Sequence, residues 1–381
     1  MNKFTQTKLK VLFVGAFAHT KDGAVGGQLH ACKTLLRSNI KTEVDFVLVD
    51  STMETLPPPR LHRRGYLATK RIIKFCYALL INRIDTIFIF TSAGFSFIEK
   101  GLMVLVGHWL GRRVVLSPRS GLLIDDIENS RLMRWYVQFI LCRCDAVLCQ
   151  SNGWLTFYQK LTQLPSSKFS VIKNWLDLQP YLGIPIVKSE RTTVNVLFLG
   201  WIETNKGIFE LLSAVKKYEA LQSNFKFVIC GKGSQLDNAK RYVLENNISH
   251  CFNFRGWITG EEKISVLANS DILVMPSHRE GLPNSLLEAM ASGCSVIVSS
   301  VGAIPDVITD EENGLLIERF NIDELAKSLL YLLSSPEVRY QIAMSARATV
   351  QDHHDINAVW VNVHEILISN ASNNSSEPLG R

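Results

Sequence analysis

One stretch, residues 271–299, constrains the fold of this chain more than any other. It begins with a short apolar run, which is typical of a buried strand. A polar loop follows, and then a helix for which Asn284 or Ser285 is the predicted N-cap and Gly293 the end. A second apolar run closes the stretch. Strand, loop, helix and strand in this order predict one βαβ unit of a parallel sheet.

The same alternation recurs along the chain. Helical stretches separate most of the apolar runs, which predicts doubly wound α/β sheets. The predicted strands are residues 9–15, 43–49, 85–90, 113–117, 145–149, 169–173, 194–200, 225–231, 251–256, 271–275 and 295–299.

A length of 381 residues suffices for two domains. The pattern weakens around residues 179–191, which contain two prolines, and then starts again. We therefore predict an N-terminal domain over 1–180, a C-terminal domain over 190–350, a last helix over 351–369 and a disordered tail over 370–381.

Charge is distributed unevenly between the two halves. Residues 1–180 hold 24 Lys or Arg against 12 Asp or Glu, a net charge of +12, whereas the remainder holds 17 against 23, a net charge of −6. A basic first half suits an anionic partner, such as a membrane surface or a phosphate-bearing acceptor. No basic run is interleaved with base-stacking aromatics, so a nucleic acid is not expected.

The N-terminus is polar, which predicts no signal peptide, and no run of about twenty uncharged apolar residues is present. The eight cysteines are scattered without the spacing of a zinc site, which indicates reduced thiols. We therefore expect a cytoplasmic protein, or one held peripherally on the inner face of the cytoplasmic membrane.

Two carboxylates mark the loop and helix of the opening stretch. Glu280 lies in the loop and Glu288 about one turn inside the helix, so both can face one ligand from different directions. Carboxylates accept hydrogen bonds from sugar hydroxyls, and the N–H groups at the helix start suit a phosphate. On spacing alone, two solvated surface carboxylates remain an equal alternative.

The sequence EGLPNSLLEAMASG, residues 280–293, resembles the signature of retaining GT-B glycosyltransferases of family GT4. The resemblance extends through residues 302–306 and 313–314. It implies two Rossmann-like doubly wound domains facing a central cleft, with the nucleotide-sugar on the C-terminal one. It also implies that Glu280 contacts the donor sugar and Glu288 the nucleotide ribose.

The resemblance extends to phosphate-binding positions. Lys206 opens a helix after a strand end, where the family binds the donor diphosphate, and Trp201 stands where the family usually has a helping Arg. The expected catalytic residues are Glu280, Lys206 and Arg119. The expected donor-binding residues are Gly26, Gly27, Gly200, Lys206, Gly231, Gly233, Arg255, Gly281, Leu282, Pro283, Asn284 and Glu288.

Arg119 follows the end of a predicted strand and could meet a phosphate or the acceptor. Many relatives carry a His in this neighbourhood. Its absence here leaves the acceptor-side catalytic residue open.

Two basic stretches in the first half suit an anionic membrane. Residues 60–74 hold six Lys or Arg and no acid, and residues 131–143 mix Arg with aromatic residues. A solvated face for the first and a core-packing helix for the second are equally open alternatives.

The expected function is retaining transfer of a sugar from a UDP- or GDP-sugar to a saccharide acceptor that is lipid-linked. The resemblance implies a role in assembly of bacterial surface polysaccharide, such as O-antigen or capsule. No Asp-x-Asp is evident, so no metal or other cofactor is expected. The alternatives are a nucleotide-sugar epimerase of the same fold and a non-catalytic sugar-nucleotide-binding protein; a dinucleotide oxidoreductase lacks its GxGxxG.

Overall fold

The computed structural model describes residues 8–20, 27–55, 59–186 and 193–369. The chain divides into two compact units. The first unit comprises Met1–Trp175 and Ile356–Arg381, and the second comprises Leu176–Asp355. The final helix of the chain therefore belongs to the first unit.

The first unit contains a six-stranded parallel sheet in the order β2-β1-β3-β4-β5-β6. Its strands are β1 (Leu9–Gly15), β2 (Val44–Asp50), β3 (Thr86–Thr91), β4 (Arg113–Pro118), β5 (Ala146–Cys149) and β6 (Phe169–Val171). Its helices are α1 (Gly27–Arg37), α2 (Ile40–Glu43), α3 (Leu61–Ile81), α4 (Phe95–Trp109), α5 (Leu122–Asn129), α6 (Arg131–Leu141), α7 (Asn152–Thr162) and, at the end of the chain, α15 (Ile356–Ile368).

The central strands of this sheet are buried on both faces. In β1, Leu12 and Val14 face the core beneath α3, α4, α6 and α7, whereas Val11 and Phe13 face the core beneath α1, α2 and α15. Successive side chains of a strand point to opposite faces, so continuous apolar runs are what a sheet covered by helices on both sides requires.

The second unit repeats the design with a sheet in the order β12-β11-β10-β7-β8-β9. Its strands are β7 (Val194–Leu199), β8 (Phe225–Cys230), β9 (Phe252–Gly256), β10 (Ile272–Met275), β11 (Ser295–Ser299) and β12 (Leu315–Ile317). Its helices are α8 (Ile208–Lys217), α9 (Ala220–Asn224), α10 (Leu236–Glu245), α11 (Gly260–Ala268), α12 (Asn284–Ala291), α13 (Ile322–Ser334) and α14 (Pro336–His353).

The strand orders locate a crevice in each sheet. The chain of the second unit runs outward from β7 through β8 and β9, and then returns to build β10, β11 and β12 on the other side. Where strand order reverses, neighbouring loops leave the sheet in opposite directions, and ligands bind in the gap at the carboxyl ends of the strands. This switch point lies between β7 and β10 in the second unit, and between β1 and β3 in the first.

The sequence predictions differ from the structure in local detail. Helix α12 begins at Asn284, and the N-cap is Pro283 without a side-chain cap hydrogen bond, so the predicted N-cap was wrong. The predicted helix over 208–221 is two helices, α8 and α9. Strand β12 was not predicted, because three residues are too few to show a period.

Among the helices that the structure describes, none combines the length and the apolar character needed to cross a membrane.

Candidate functional site

The carboxyl ends of β7, β8 and β10 bring together most of the predicted donor-binding residues of the second unit. Gly200 follows β7, Gly231 and Gly233 follow β8, and Glu280 lies in the loop after β10. Because β10 and β7 are adjacent at the switch point, the loops after these two strands meet over the crevice.

Lys206 and Glu280 form an ion pair at this crevice. Lys206 ends a short 3-10 turn after β7, and its Nζ donates to Glu280 Oε1 over 2.7 Å. The side chains are 24% and 10% exposed, so both are screened from solvent on most sides. A charge-assisted bond of this length fixes the direction of both groups. The two residues predicted to be catalytic in the second unit therefore lie in direct contact.

The loop that carries Glu280 is held from behind by Gly302. This glycine has φ +63°, and a Cβ on it would lie 2.1 Å from the Glu280 carbonyl oxygen. The next residue, Ala303, donates its N–H to the Gly281 carbonyl over 3.0 Å. Only glycine combines this conformation with such a close approach. The backbone position of Glu280 is thus set by the segment after β11.

Glu288 lies on α12 and is almost fully buried. Its Oε1 accepts from Lys263 Nζ over 2.6 Å, and the Glu288 side chain is 5% exposed. Burial, together with the nearby Glu288 carboxylate to which the Tyr181 hydroxyl is hydrogen-bonded, raises the pKa of that hydroxyl. Glu288 is therefore held by two partners from distant parts of the chain.

The start of α12 carries the remaining predicted residues of this motif. Leu282 is buried and Pro283 is extended, so the chain enters the helix directly at Asn284. No acidic residue occupies the first turn. A helix start without a carboxylate keeps its positive dipole end available to an anion.

The loops after β7, β8 and β9 are joined by backbone hydrogen bonds. Gly200 donates to the Cys230 carbonyl over 3.0 Å, and Gly231 donates to the Gly256 carbonyl over 2.7 Å. Gly233 packs against the carbonyl of Ile202. These contacts hold the predicted glycines together at the carboxyl ends of the strands.

An aromatic and basic cluster lies beside these glycines. The rings of Trp201 and Trp257 are 4.9 Å apart, and Lys232 Nζ lies 5.8 Å and 5.4 Å from their centroids. Arg255, predicted near the base, pairs with Glu262 over 3.1 Å, and both side chains are about half exposed. Sequence reasoning singled out Trp201 for the Arg it replaces but missed Trp257 and Lys232.

His278 is a further residue that sequence reasoning missed. Its Nε2 lies 2.8 Å from Glu210 Oε1, and its ring centroid lies 4.0 Å from that of Phe320. The backbone N–H of His278 donates to the Asn205 carbonyl over 2.9 Å. These contacts tie the loop after β10 to the turn that carries Lys206. The signal was weak, because a lone His in a loop is unremarkable.

Arg119 lies in the first unit, after β4. Its guanidinium lies 4.5 Å from the Phe90 centroid and 4.7 Å from that of Trp175, and Nη2 donates to Asn174 Oδ1. Burial lowers the pKa of Arg119 to about 10, which leaves it charged at neutral pH. Gly27 begins α1 in the same unit, and Gly26 lies outside the described residues.

The chain is similar in sequence to a known family and to known proteins. Residues 186–349 match the family described as glycosyl transferases group 1. A glycosyltransferase of Methanocaldococcus jannaschii is 32% identical over 263 residues, which cover 65% of this chain and 66% of that protein. The putative colanic acid biosynthesis glycosyltransferase WcaL of Escherichia coli is 23% identical over 246 residues, 62% of this chain and 60% of that one.

Solved structures share the fold over nearly the whole chain. Sucrose-phosphate synthase from Thermosynechococcus elongatus has a TM-score of 0.77 at 16% identity, covering 96% of this chain and 100% of that one. The Anabaena protein HepE in complex with UDP-glucose has a TM-score of 0.71 at 17% identity, covering 95% and 100%. At this level of identity the likeness shows the fold, which is the two-domain α/β architecture called GT-B.

The matches in sequence cover less than two thirds of the length of the two curated relatives. The family match itself spans most of the second unit, including Lys206, Glu280 and Glu288. In sequence, the chain is thus similar to the glycosyl transferases group 1 family over residues 186–349, and its fold is that of the solved GT-B structures.

Proposed function

We propose that this chain is a retaining glycosyltransferase that moves a sugar from a UDP- or GDP-sugar to a saccharide acceptor. The observation that carries the proposal is a pair of lysine–carboxylate contacts beyond the carboxyl ends of the strands, Lys206–Glu280 and Lys263–Glu288. A ligand with both phosphates and hydroxyls suits such a site, because lysines bind phosphate oxygens and carboxylates accept from hydroxyls.

Lys206 and the start of α12 would offset the negative charge of the donor diphosphate. Negative charge on the diphosphate grows as the glycosidic bond breaks, so groups fixed before the reaction stabilise the departing nucleotide. Lys206 is already oriented by Glu280, which removes part of the cost of ordering it.

The two carboxylates would have separate roles. Glu280 would accept hydrogen bonds from hydroxyls of the transferred sugar and orient its anomeric carbon, while the buried Glu288 would hold the ribose. Lys263 donates to Glu288 Oε1 over 2.6 Å and so fixes the direction of this carboxylate. The sequence motif offers no nucleophile pair of the glycosidase type, so we propose that attack and departure occur on one face of the sugar.

The acceptor is proposed to be lipid-linked, in assembly of a surface polysaccharide such as lipopolysaccharide O-antigen or capsule. The colanic acid role in the name of the relative WcaL is consistent with this proposal. The first unit supports it with an exposed surface formed by the neighbouring helices α3, α4 and α6, which we call the α3–α4–α6 surface. Its large exposed apolar side chains include Ile73, Tyr77, Leu80, Trp109, Leu132 and Trp135.

Basic residues share the α3–α4–α6 surface, among them Lys70, Lys74, Arg131 and Arg134, all exposed. Apolar side chains beside cations are typical of a surface that enters the headgroup region of an anionic bilayer. Liposomes with anionic lipid should therefore bind the protein, and Arg131→Gln with Arg134→Gln should weaken that binding. Unchanged binding in the double variant would count against membrane attachment at this place.

A thermal-shift panel of UDP-, GDP-, ADP- and CMP-sugars tests the donor. A ligand present at a hundredfold its dissociation constant stabilises the folded state by about 2.7 kcal/mol. We expect the unfolding temperature to rise with the sugars of one nucleotide base only, and to rise less in Glu288→Gln. The control is Glu261→Gln, which changes an exposed carboxylate on α11 and should keep the full rise. The absence of a shift with every nucleotide-sugar would overturn the proposal.

A further inference from the structure

A cavity of about 280 Å³ lies in the first unit. Residues after β1, β2, β3 and β4 form its floor, and the starts of α1 and α4 and the side of α3 form its walls. It therefore lies at the switch point of the first sheet, where β1 and β3 are neighbours. The volume corresponds to roughly nine waters at about 30 Å³ each, which is room for a group the size of pyrophosphate.

Positive charge dominates the lining. Four cations, Arg64, Arg71, Lys100 and Arg119, line the cavity together with two carboxylates, those of Glu54 and Glu99. Arg71 holds Glu99 with two hydrogen bonds, of 2.6 Å and 2.8 Å, which neutralises both.

The carboxylate of Glu54 is also occupied. Arg63, which does not line the cavity, donates to both of its oxygens over 3.0 Å. Arg64 lies over the ring of Phe95 at 4.8 Å and makes no ion pair with any residue that the structure describes. The charge of the lining is thus not balanced from within the cavity.

Lys100 is the most unusual of these cations because its side chain is only 4% exposed. Its Nζ donates to Glu99 Oε2 over 3.5 Å, and Arg71 Nη2 already approaches the same oxygen at 2.8 Å. An ammonium has three protons to donate, and within the described residues Lys100 has this one long contact. Burial lowers its pKa, consistent with a desolvated and poorly compensated charge.

Neutral donors surround the same space. Gln28 lines the cavity, and its Nε2 has no acceptor within the described part of the chain. The hydroxyl-bearing Ser92 and Ser96 line it as well, at the start of α4. Helix α4 is 15 residues long and has no acidic residue in its first turn. The N–H of its N-cap, Gly94, donates to Asp126 Oδ2 over 2.7 Å, so a carboxylate of α5 already offsets the positive end of this helix. The positive charge of the cavity therefore comes from its lysine and arginine side chains.

We propose that this cavity binds a phosphate or pyrophosphate group, and that the acceptor of the transferred sugar carries that group. The inference rests on the proposed function for the acceptor's role, whereas the anion site stands on the geometry of the first unit. Two or three acidic oxygens would give Lys100 and Arg64 the partners that this lining does not supply.

Calorimetric titration of the full-length protein with inorganic pyrophosphate tests the site. Saturating UDP is present, so that the site in the second unit is occupied and does not bind pyrophosphate. If UDP does not bind, all titrations are done in the Lys206→Met variant, which lacks the lysine of that site. We expect one pyrophosphate site, at least tenfold weaker in Lys100→Met. Lys160→Met is the matched control, since Lys160 is an exposed lysine on helix α7 of the same unit, and it should change the affinity less than twofold.

Circular dichroism checks the fold of each variant. If Lys100→Met does not fold, Arg64→Gln replaces it, because Arg64 is only partly buried, and at least fivefold weakening is then expected. The proposal is overturned if the wild type binds no pyrophosphate under these conditions. It is equally overturned if the cavity variant and Lys160→Met bind pyrophosphate alike.

Two further ligands identify the source of the phosphate. Geranyl pyrophosphate binding more tightly than pyrophosphate would assign a lipid-linked acceptor, and tighter binding of glucose 1-phosphate would assign a soluble phosphorylated sugar. Both results retain the anion site. Binding of the nucleotide-sugar is tested separately by Glu288→Gln in the second unit, a residue that does not line this cavity. Failure of one proposal therefore does not imply failure of the other.

Discussion

The two units share one architecture but differ in how charge is arranged at the switch point. In the second unit, the two lysines at the crevice each lie against a carboxylate, in Lys206–Glu280 and Lys263–Glu288. In the first unit, Lys100 and Arg64 line a cavity whose carboxylates are already taken by arginines. A paired site suits a ligand that offers hydroxyls as well as phosphates, whereas an unbalanced site suits an anion alone.

The largest expected effect tests the paired site directly. Glu280→Gln keeps the shape of the side chain but removes its charge, so Lys206 loses its fixed partner and the sugar loses its acceptor. We expect the rate of nucleotide release from the donor, with water as acceptor, to fall by about 10²–10³. Glu261→Gln, an exposed carboxylate on α11, should leave the rate unchanged. An active Glu280→Gln enzyme would remove Glu280 from the reaction.

The next largest effect concerns Gly302, which contacts the loop that carries Glu280. Gly302→Ala places a methyl group 2.1 Å from the Glu280 carbonyl oxygen, which forces the loop to move. Gly256→Ala is the matched control, because its φ is also positive but no atom lies within 4 Å of the added carbon. Denaturant unfolding should show a loss of about 1–2 kcal/mol for the control and about 1–3 kcal/mol more for Gly302→Ala. Equal losses would show that the loop accommodates the methyl group.

Lys263→Met breaks the second pair and leaves Glu288 buried with the Tyr181 hydroxyl. A hydrogen bond to a charged group contributes about 1.5–3 kcal/mol, so we expect the dissociation constant of the nucleoside diphosphate to rise about tenfold or more. Lys240→Met, an exposed lysine on α10, is the control. Tighter binding in Lys263→Met would mean that Lys263 competes with the ribose for Glu288.

The smallest effect concerns the unbalanced charge of the first unit. Burial lowers the pKa of Lys100, which is faced by Glu99, Arg71 and Asp50. Between the lowered folded pKa and the unfolded value of 10.5, the unfolded chain binds more protons, so stability rises with pH. Across this pH window the free energy of unfolding of the wild type should rise relative to that of Lys100→Met. The expected rise is about 1.4 kcal/mol for each pH unit by which the pKa of Lys100 is lowered. A pH-independent difference in unfolding free energy would contradict this.

Metal dependence sharpens the same comparison. The lysines and the start of α12 offset the diphosphate charge in our proposal, so a divalent cation is not required. We expect nucleotide release to be unchanged by EDTA, measured beside the same protein with added Mg²⁺. Loss of activity that Mg²⁺ restores would show that the protein charges are insufficient.

The fold followed from the sequence because it depends on local pattern. Residues 295–299 hold three consecutive β-branched apolar residues between two serines, and β11 has those same bounds. Strand β12 escaped notice because its pairing with β11, rather than its own three residues, makes it a strand. The N-cap of α12 was misplaced since Asn and Ser at its start favour capping, while Pro283 fixes the entry of the chain.

The site could be predicted only in part. The motif residues Lys206, Glu280 and Glu288 are recognisable because they stand at fixed places relative to strand ends. Their partners are not, because Lys263 is 25 residues from Glu288 along the chain and meets it only through the packing of α11 and α12. The first-unit cavity was invisible for the same reason, since its cations come from three separate elements and no spacing links them.

The assignment of α15 to the first unit has a consequence for the order in which the protein is made. Val363 and Leu367 of this helix fill the core beneath the first sheet, and Thr86 and Arg113 bond to its last carbonyls. The ribosome must complete the whole second unit before it delivers this helix, a delay on the order of ten seconds or more. During that time the apolar side chains beneath the first sheet that α15 covers are exposed, and they become buried only when α15 emerges.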